Sequence, residues 1–409
     1  MKLWLTAIIL LLSFFRLTAQ QPGCTDPRAS NFSPQATVNN GSCRYPSTIH
    51  QPDFIYELPY EARESSGLVF HDSLLWTHND SKHKAELYAL SPIDGRLIKT
   101  IKVSNAVNID WEEIAKDDQY MYVGDVGNNA GQRRLFQIYR IPLDALMGEG
   151  DANVAADTIM FTYPDQPTKL KYLNHNHDCE AFVVSGDSIY LFSKNWADGQ
   201  CKLYRIPAQK GLWVAEAVNK FDSRGLITGA DYQPETGQLM LVGYTKGTWM
   251  PFLWILHDFE GNNFFSGNKR RINLKRLITT QIEAVVFIRP GEAIITSERS
   301  KTAAARAFSI NTSRWVSSNP LALPIDHELC KRRIELDAID DGYQLYFPVK
   351  QSQPFVVELL DADNHGFFRQ GFNPSKPQHT FFLTTEKNFK TPGTLVINSK
   401  NTIFRCEIP

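Results

Sequence analysis

The sequence predicts an all-β chain: a five-bladed β-propeller, with six blades as the alternative, followed by a small C-terminal β-sandwich. Three observations predict it. One strand pattern recurs five times between residues 50 and 318, a different strand pattern begins near residue 341, and Asp-Gly, Pro-Gly and Gly-Asp turns break runs of alternating β-branched and aromatic residues throughout.

The chain of 409 residues opens with a single early charge at Lys2, an almost unbroken apolar run from Leu3 to Phe15, and small residues around Ala19. This is the pattern of a secretory signal peptide over residues 1–20. Arg16 interrupts the run where a membrane span of roughly 20 apolar residues would have to continue. A lipid anchor on Cys24 is the runner-up, although Gln21-Pro22-Gly23 lacks the aliphatic residue such a signal wants. No later window approaches a span, so the expected location is secreted or on the outer cell surface. A formal net charge of -1 gives no electrostatic reason to expect nucleic acid or an anionic membrane as partner. In an oxidising compartment the six cysteines can all pair.

Residues 21–47 hold almost no aliphatic side chain to bury, yet Cys24 and Cys43 bracket them. A crosslink closing a loop of about twenty residues is worth roughly 3 kcal/mol in the chain-entropy account, enough to order a segment without a core. The stretch Gly23-Cys24-Thr25-Asp26, with Ala29, Asn31, Phe32, Asn39-Asn40-Gly41-Ser42-Cys43 and Tyr45-Pro46, resembles a short cysteine-bracketed repeat of secreted Bacteroidetes proteins. Asp26, Asn31, Asn39 and Asn40 are oxygen donors suited to calcium, or alternatively the formers of Asx turns with their own backbone.

The repeats follow. Their first strands read ESSGLVF at 64, DWEEIAK at 110, DCEAFVV at 178, ITGADYQ at 227 and QIEAVVF at 281. Each leads through a turn into a second apolar strand (SLLWTHND, QYMYVGDVG, SIYLFSKN, QLMLVGYT, EAIITSER), then a third, and in most units a fourth. Four antiparallel strands at spacings of about 46 to 68 residues are the mark of propeller blades. In the longest spacing the extra residues, DALMGEGDANVAA and DQPTKLKYLNHN, read as loops. The last repeat stops at its third strand while DFIYELP near residue 53 stands alone, so the early strand is expected to complete the last blade and remove its edge. A degenerate blade over 319–340 would make six; otherwise 319–340 is a linker. The segments LLWTHNDSKHKAELYAL, DWEEIAKDDQYMYVGDVGNNAGQRRLFQIYRI and DCEAFVVSGDSIYLFSKNW resemble a group of bacterial secreted propeller proteins, which implies the fold and no particular activity.

Residues that begin equivalent innermost strands form a ring around the channel: Glu112, Glu180, Thr228 and Glu283, with Glu64 two positions ahead of its aligned Ser66. The ends of the second strands return to the same face and bring Asn79, Asp80, Asp125, Asn128, Lys194, Asn195, Glu298 and Arg299 to the same mouth, as the candidate ligand-binding set. Carboxylates so gathered repel unless protons or a cation intervene. Calcium, which accepts six to eight oxygen ligands, would fit at Glu64, Glu112, Glu180 and Glu283; hydrogen bonds to the next blade or to Lys194 and Arg299 would serve equally to hold the blades in register.

Other chemistries have less support. His175 and His177 at alternate positions suggest zinc only weakly, without a third nitrogen or sulfur ligand at familiar spacing, and a solvated loop is the simpler reading. No nucleophile elbow, Walker loop or dinucleotide fingerprint is present. Trp196 and Trp249 offer rings for stacking on a sugar or for blade packing. Two functions therefore remain from the sequence: a secreted or surface propeller binding a ligand or partner at an acidic mouth, and a calcium-dependent hydrolase of lactones, esters or phosphoesters using the same mouth.

Residues 341–409 read as strands separated by Asp-Asn, Pro-Gly and Ser-Lys-Asn turns. They resemble the C-terminal sorting domain recognised by the type IX secretion system of Bacteroidetes, which implies that machinery as a partner. Tyr346-Phe347-Pro348-Val349 departs from the usual Tyr-Pro-Asn-Pro opening, and the end Arg405-Cys406-Glu407-Ile408 lacks a lysine-rich tail. Cys330 and Cys406 flank the unit as candidate disulfide partners, whereas Cys179 and Cys201 are less certain partners: they fall on strands that a middle strand separates by about 9 to 10 Å, beyond disulfide reach unless a loop bends back.

Overall fold

A computed structural model describes residues 20–275, 281–301, 303–316 and, beyond these, 374 and the strands 335–339, 342–351, 355–360, 366–372, 378–384, 393–399 and 403–408. The expected signal segment, most of the expected linker, Cys330 and the side chain of Cys406 lie outside the described residues.

Five antiparallel sheets make up the body of the chain. Sheet I runs outward through Ser65–His71, Leu74–Asn79, Glu86–Leu90 and Leu97–Val103; sheet II through Trp111–Lys116, Tyr120–Asp125, Phe136–Pro142 and Asp157–Thr162. Sheet III comprises Cys179–Ser185, Ser188–Ser193, Cys201–Pro207 and Glu216–Phe221, and sheet IV comprises Leu226–Gln233, Gln238–Tyr244, Pro251–His257 and Asn268–Leu274. Sheet V has Ile282–Arg289, Glu292–Ser297 and Arg306–Asn311, and its outer strand is Asp53–Glu57 from the start of the chain. Each first strand touches the first strand of the next sheet, and 282–289 returns to 65–71. Radial sheets in a closed ring are a β-propeller. As the lone strand near residue 53 led one to expect, it closes the last sheet, with Glu57 paired to Arg306 at 3.1 Å.

The burial pattern explains the strand sequences. Second strands lie between neighbours on both faces, so Gln238–Tyr244 is buried throughout, whereas the outer strand Asn268–Leu274 alternates buried and partly exposed residues. Wedges between sheets are filled by large side chains: Val69, Trp76 and Leu87 of sheet I pack with Ile114, Met121 and Tyr139 of sheet II, and Phe182 and Tyr204 of sheet III join Phe136 and Phe161 of sheet II.

Two parts of the longest inter-repeat segment differ from the expected loops. Leu143–Leu146 forms a 3-10 turn, and Ala152–Val154 adds a fifth, parallel strand to sheet I alongside Ile101–Val103. Gly211–Val214 does the same for sheet II and Thr48–His50 for sheet IV. These strands are only three or four residues long, too short for an alternation in sequence to mark them.

The N-terminal module is stapled by Cys24–Cys43 and docks on sheet IV. Its polar residues form Asx turns: Asp26 Oδ1 accepts from Arg28 N, Asn39 Oδ1 from Gly41 N and Asn40 Oδ1 from Ser42 N, while Asn31 bridges Arg44 N and Ser42 O. Asp258 accepts from Thr25 and Asn39, and the Tyr45 hydroxyl donates to Asp26 at 2.6 Å beneath the Arg270 guanidinium. Cys179 and Cys201 are buried free thiols.

The C-terminal residues form a three-stranded sheet (335–339, 342–351, 378–384) and a four-stranded sheet (366–372, 355–360, 393–399, 403–408). Phe355 and Phe372 of one meet Phe381 of the other, with ring centres 4.8 and 5.3 Å apart. Strand 335–339 falls within the stretch read from sequence as linker.

Tyr45→Phe keeps the ring but strips a donor from Asp26, which is 7% exposed. Urea denaturation is expected to show a loss of about 1–3 kcal/mol; an unchanged midpoint would mean that the module unfolds independently of sheet IV.

Candidate functional site

Each first strand carries a β-bulge at the same place. The register skips one residue between Ser65 and Gly67, Cys179 and Ala181, Ile227 and Gly229, and Ile282 and Ala284, and in sheet II Glu113 and Trp111 pair with adjacent residues 124 and 125. The unpaired residues are Ser66, Glu112, Glu180, Thr228 and Glu283. A bulge re-aims the side chain it releases. Four of the five line one cavity of ≈ 250 Å³ together with Asp80, Lys194, Tyr244, Gln281 and Glu298. The fifth, Thr228, instead donates its hydroxyl to Ile282 O at 2.7 Å and fastens sheet IV to sheet V.

Close approach is required behind these groups. A side chain at Gly127 would collide with the carboxylates of Glu112 and Asp110, and one at Gly229 with the backbone of Glu283.

The cavity is strongly acidic. Asp80, Glu112, Glu180, Glu283 and Glu298 line it, and among the described residues on its wall the cation is Lys194. Lys194 bonds Glu180, and both are at most 5% exposed. Burial opposes the lysine charge, but Glu180 and further acidic neighbours outweigh it and hold Lys194 protonated. Glu112 and Glu283, each 5% exposed, have no hydrogen-bond or ion-pair partner among the described residues, and both are pushed well up by burial and then by neighbouring carboxylates. Burial, then Asp80, raises Glu298 to about 7, and burial with Asp80 and Asp178 raises Asp110 to about 7. Asp80, Asp110 and Glu112 offer oxygen atoms within 4.8 Å of one another. That spacing is compatible with oxygens on one hard cation at 2.3–2.6 Å.

The sequence-derived sets divide. Glu112, Glu180, Glu283, Asp80, Lys194 and Glu298 converge on the cavity. Glu64 is 40% exposed and turned to His83 at 2.8 Å. Asn79 accepts from Glu64 N and donates to Glu61 O; Asp125 is fully buried against Arg133 and Gln137; Asn128 donates to His177 O; and Asn195 accepts from Ser193 and donates to Asp198. Arg299 joins through its backbone N–H to Arg63 O. These five fasten chain to chain and are not among the cavity-lining residues. His175 and His177 sit in a loop, but a buried one: His175 Nε2 faces Asn129 O and His177 Nε2 faces Asp165, so the two rings serve different partners.

Residues missed by sequence reasoning include Asp110, Asn129, Tyr172, Tyr244 and Gln281. Aligning the repeats two positions ahead of each bulged acid pairs Asp110 with Asp178 and Gln281, a signal that was available. It is ambiguous, because Asp178 is consumed by Asn128 N and Trp196 Nε1. Tyr172 arrives on the 165–176 loop, whose sequence carries no pattern.

No protein-family model matches the chain, and no curated protein matches it. Among solved structures it is similar to an exo-beta-1,3-galactanase from Phanerochaete chrysosporium (9% identity, 91% of this chain and 92% of that one, TM-score 0.40). It is also similar to the RRP9 WD40 repeats (13%, 64% and 99%, TM-score 0.35) and to the WD40 propeller domain of Doa1 (9%, 87% and 96%, TM-score 0.27). At these identities and scores the similarities carry no functional statement, and the propeller rests on the sheet order itself.

A pH dependence follows from Glu298. Its folded value near 7 lies above the ordinary 4.5, so the folded state holds the proton more tightly than the unfolded state. The stabilisation is complete below about pH 4 and is lost as pH rises through 7. With chelator present, unfolding free energy is expected to fall by roughly 2–3 kcal/mol from this group between pH 5 and 8, and Glu298→Gln to flatten that slope. A parallel slope in the variant would assign the effect elsewhere.

Proposed function

We propose that this is an exported, five-bladed binding propeller whose acidic mouth captures a cation-bearing ligand, with calcium held by Asp80, Asp110 and Glu112. The observation that carries the reading is the convergence of five bulge-directed or strand-end carboxylates on one cavity against, among the described residues, a single lysine. Carboxylates this close and this buried cannot all be ionised without a counter-charge. Calcium would supply that charge and leave coordination positions for ligand oxygens. The Cys24–Cys43 bond is consistent with an oxidising compartment. Export through the C-terminal unit is part of the proposal, and deletion from residue 341 should retain the chain in the cell envelope; unchanged release would remove that part.

Calcium titration of stripped protein, followed by thermal unfolding, tests the metal. At about 100 times its dissociation constant a bound cation stabilises by roughly 2.7 kcal/mol. Asp110→Asn and Glu112→Gln should each abolish most of that gain, and a flat titration of the parent protein would end the calcium assignment.

A hydrolytic use of the same mouth is favoured by one observation. Glu180 is matched by Lys194, while Glu298, outside the proposed calcium ligands, is pushed to about 7, the division between ionised and protonated acids that acid-base chemistry uses. Chelator-sensitive turnover of lactone, ester or phosphoester panels would establish it.

A further inference from the structure

Lys194 illustrates how this mouth holds a positive charge. Its ammonium group bonds Glu180 and lies 5.0 Å from the ring centre of Trp196 and 5.4 Å from that of Tyr244. Carboxylate and aromatic face together make a box for an ammonium ion.

The same cavity contains a second set of such parts that Lys194, committed to Glu180, reaches only at longer range. Glu283 lines it, 5% exposed and without a hydrogen-bond or ion-pair partner among those residues, and Glu298 beside it accepts from Gln281 Nε2 at 3.2 Å. Two aromatic rings border the opening, Trp249 at 48% exposure and Tyr172 at 70%. Trp249 stands in the left-handed region, φ 54°, an outlier for so bulky a residue. Such a conformation costs on the order of 1–3 kcal/mol and persists where surrounding contacts impose it. Here Trp249 N donates to Thr245 O, Met250 N to Thr245 Oγ1, and Thr245 N to Met250 O. The result is an indole stacked on Tyr244, ring centres 4.8 Å apart at 30°, that also borders the acidic cavity. One face of the indole is spent on Tyr244, and at 48% exposure the side chain still leaves ring surface open to a ligand at the cavity.

We propose that the mouth binds an alkylammonium group, the charged nitrogen seated against Glu283 and the carbon chain lying along Trp249. The group could be presented by a free diamine or by a lysine side chain of a peptide. The proposal rests on the reading of the mouth as a cation-binding site, but it uses Glu283 and Trp249 where calcium uses Asp80, Asp110 and Glu112.

The test is titration of chelator-treated full-length protein with putrescine and with Nα-acetyl-lysine N-methylamide, followed by tryptophan fluorescence and calorimetry, with the Nε-acetylated amide as the neutral control. At least one ammonium probe should bind saturably, and the neutral control at least about tenfold more weakly. The tighter of the two probes identifies the source, free amine or peptide. Glu283→Gln should weaken binding by roughly tenfold or more, and Trp249→Ala by roughly 2- to 30-fold. If Glu283→Gln does not fold, as judged by its melting transition, Trp249→Ala carries the test alone. The proposal is overturned if neither ammonium binds at millimolar concentration, if the acetylated control binds equally well, or if folded variants bind like the parent. Calcium added to the same samples separates the two readings. Stabilisation by calcium without ammonium binding sinks this inference alone, ammonium binding without calcium stabilisation sinks the metal alone, and failure of both removes the cation-binding mouth.

Discussion

Everything at the mouth depends on the repeated β-bulge. A strand buried between neighbours has no spare side chain, because alternate residues go to its two faces and both faces are packed. Skipping one residue of the ladder at 66, 112, 180, 228 and 283 releases one side chain per sheet from that alternation. The lost pairing is local, and the ring of first strands supports it from both sides. The geometry of the ring then brings four of the five released side chains to one cavity.

The acids so gathered are held against their own preference. Removing a carboxylate from water is costly, and several together are costlier still. The structure offsets this in two ways. Lys194 neutralises one of them from within, and its ammonium is itself shielded by Trp196 and Tyr244. The rest are carried by a scaffold whose stability comes from elsewhere, the aromatic wedges between sheets and the closing strand 53–57. Glu113, next in sequence to Glu112, shows the contrast: fully buried, it accepts from Ala230 N and the Ile114 N–H and so works as a brace across the channel.

The N-terminal module belongs to the same economy of edges. The strand Thr48–His50 that follows it covers the outer edge of sheet IV, and the next segment closes sheet V, so one stretch of chain protects two sheets. The module's asparagines and Asp26, read from sequence as Asx-turn formers or as calcium ligands, are occupied by turns, by Tyr45 of the same module and by the dock on Asp258.

The sequence by itself determined the three inner strands of each sheet and their order, since a strand packed in a propeller must show its burial locally: continuous where both faces are covered, as in QLMLVGY, and alternating in an outer strand where one is wet, as in NKRRINL. It also marked the acids at the start of the first strands, because repeats place equivalent residues at equivalent points of the ring. Tertiary structure alone decided which of these face the cavity. Asp110 and Asp178 occupy equivalent positions, yet one sits with Asp80 and Glu112 while the other is taken by Asn128 and Trp196, and Glu64 turns outward to His83 where Ser66 faces in. Those outcomes hinge on a one-residue register shift and on loops arriving from distant parts of the chain, and neither leaves a periodic trace in sequence.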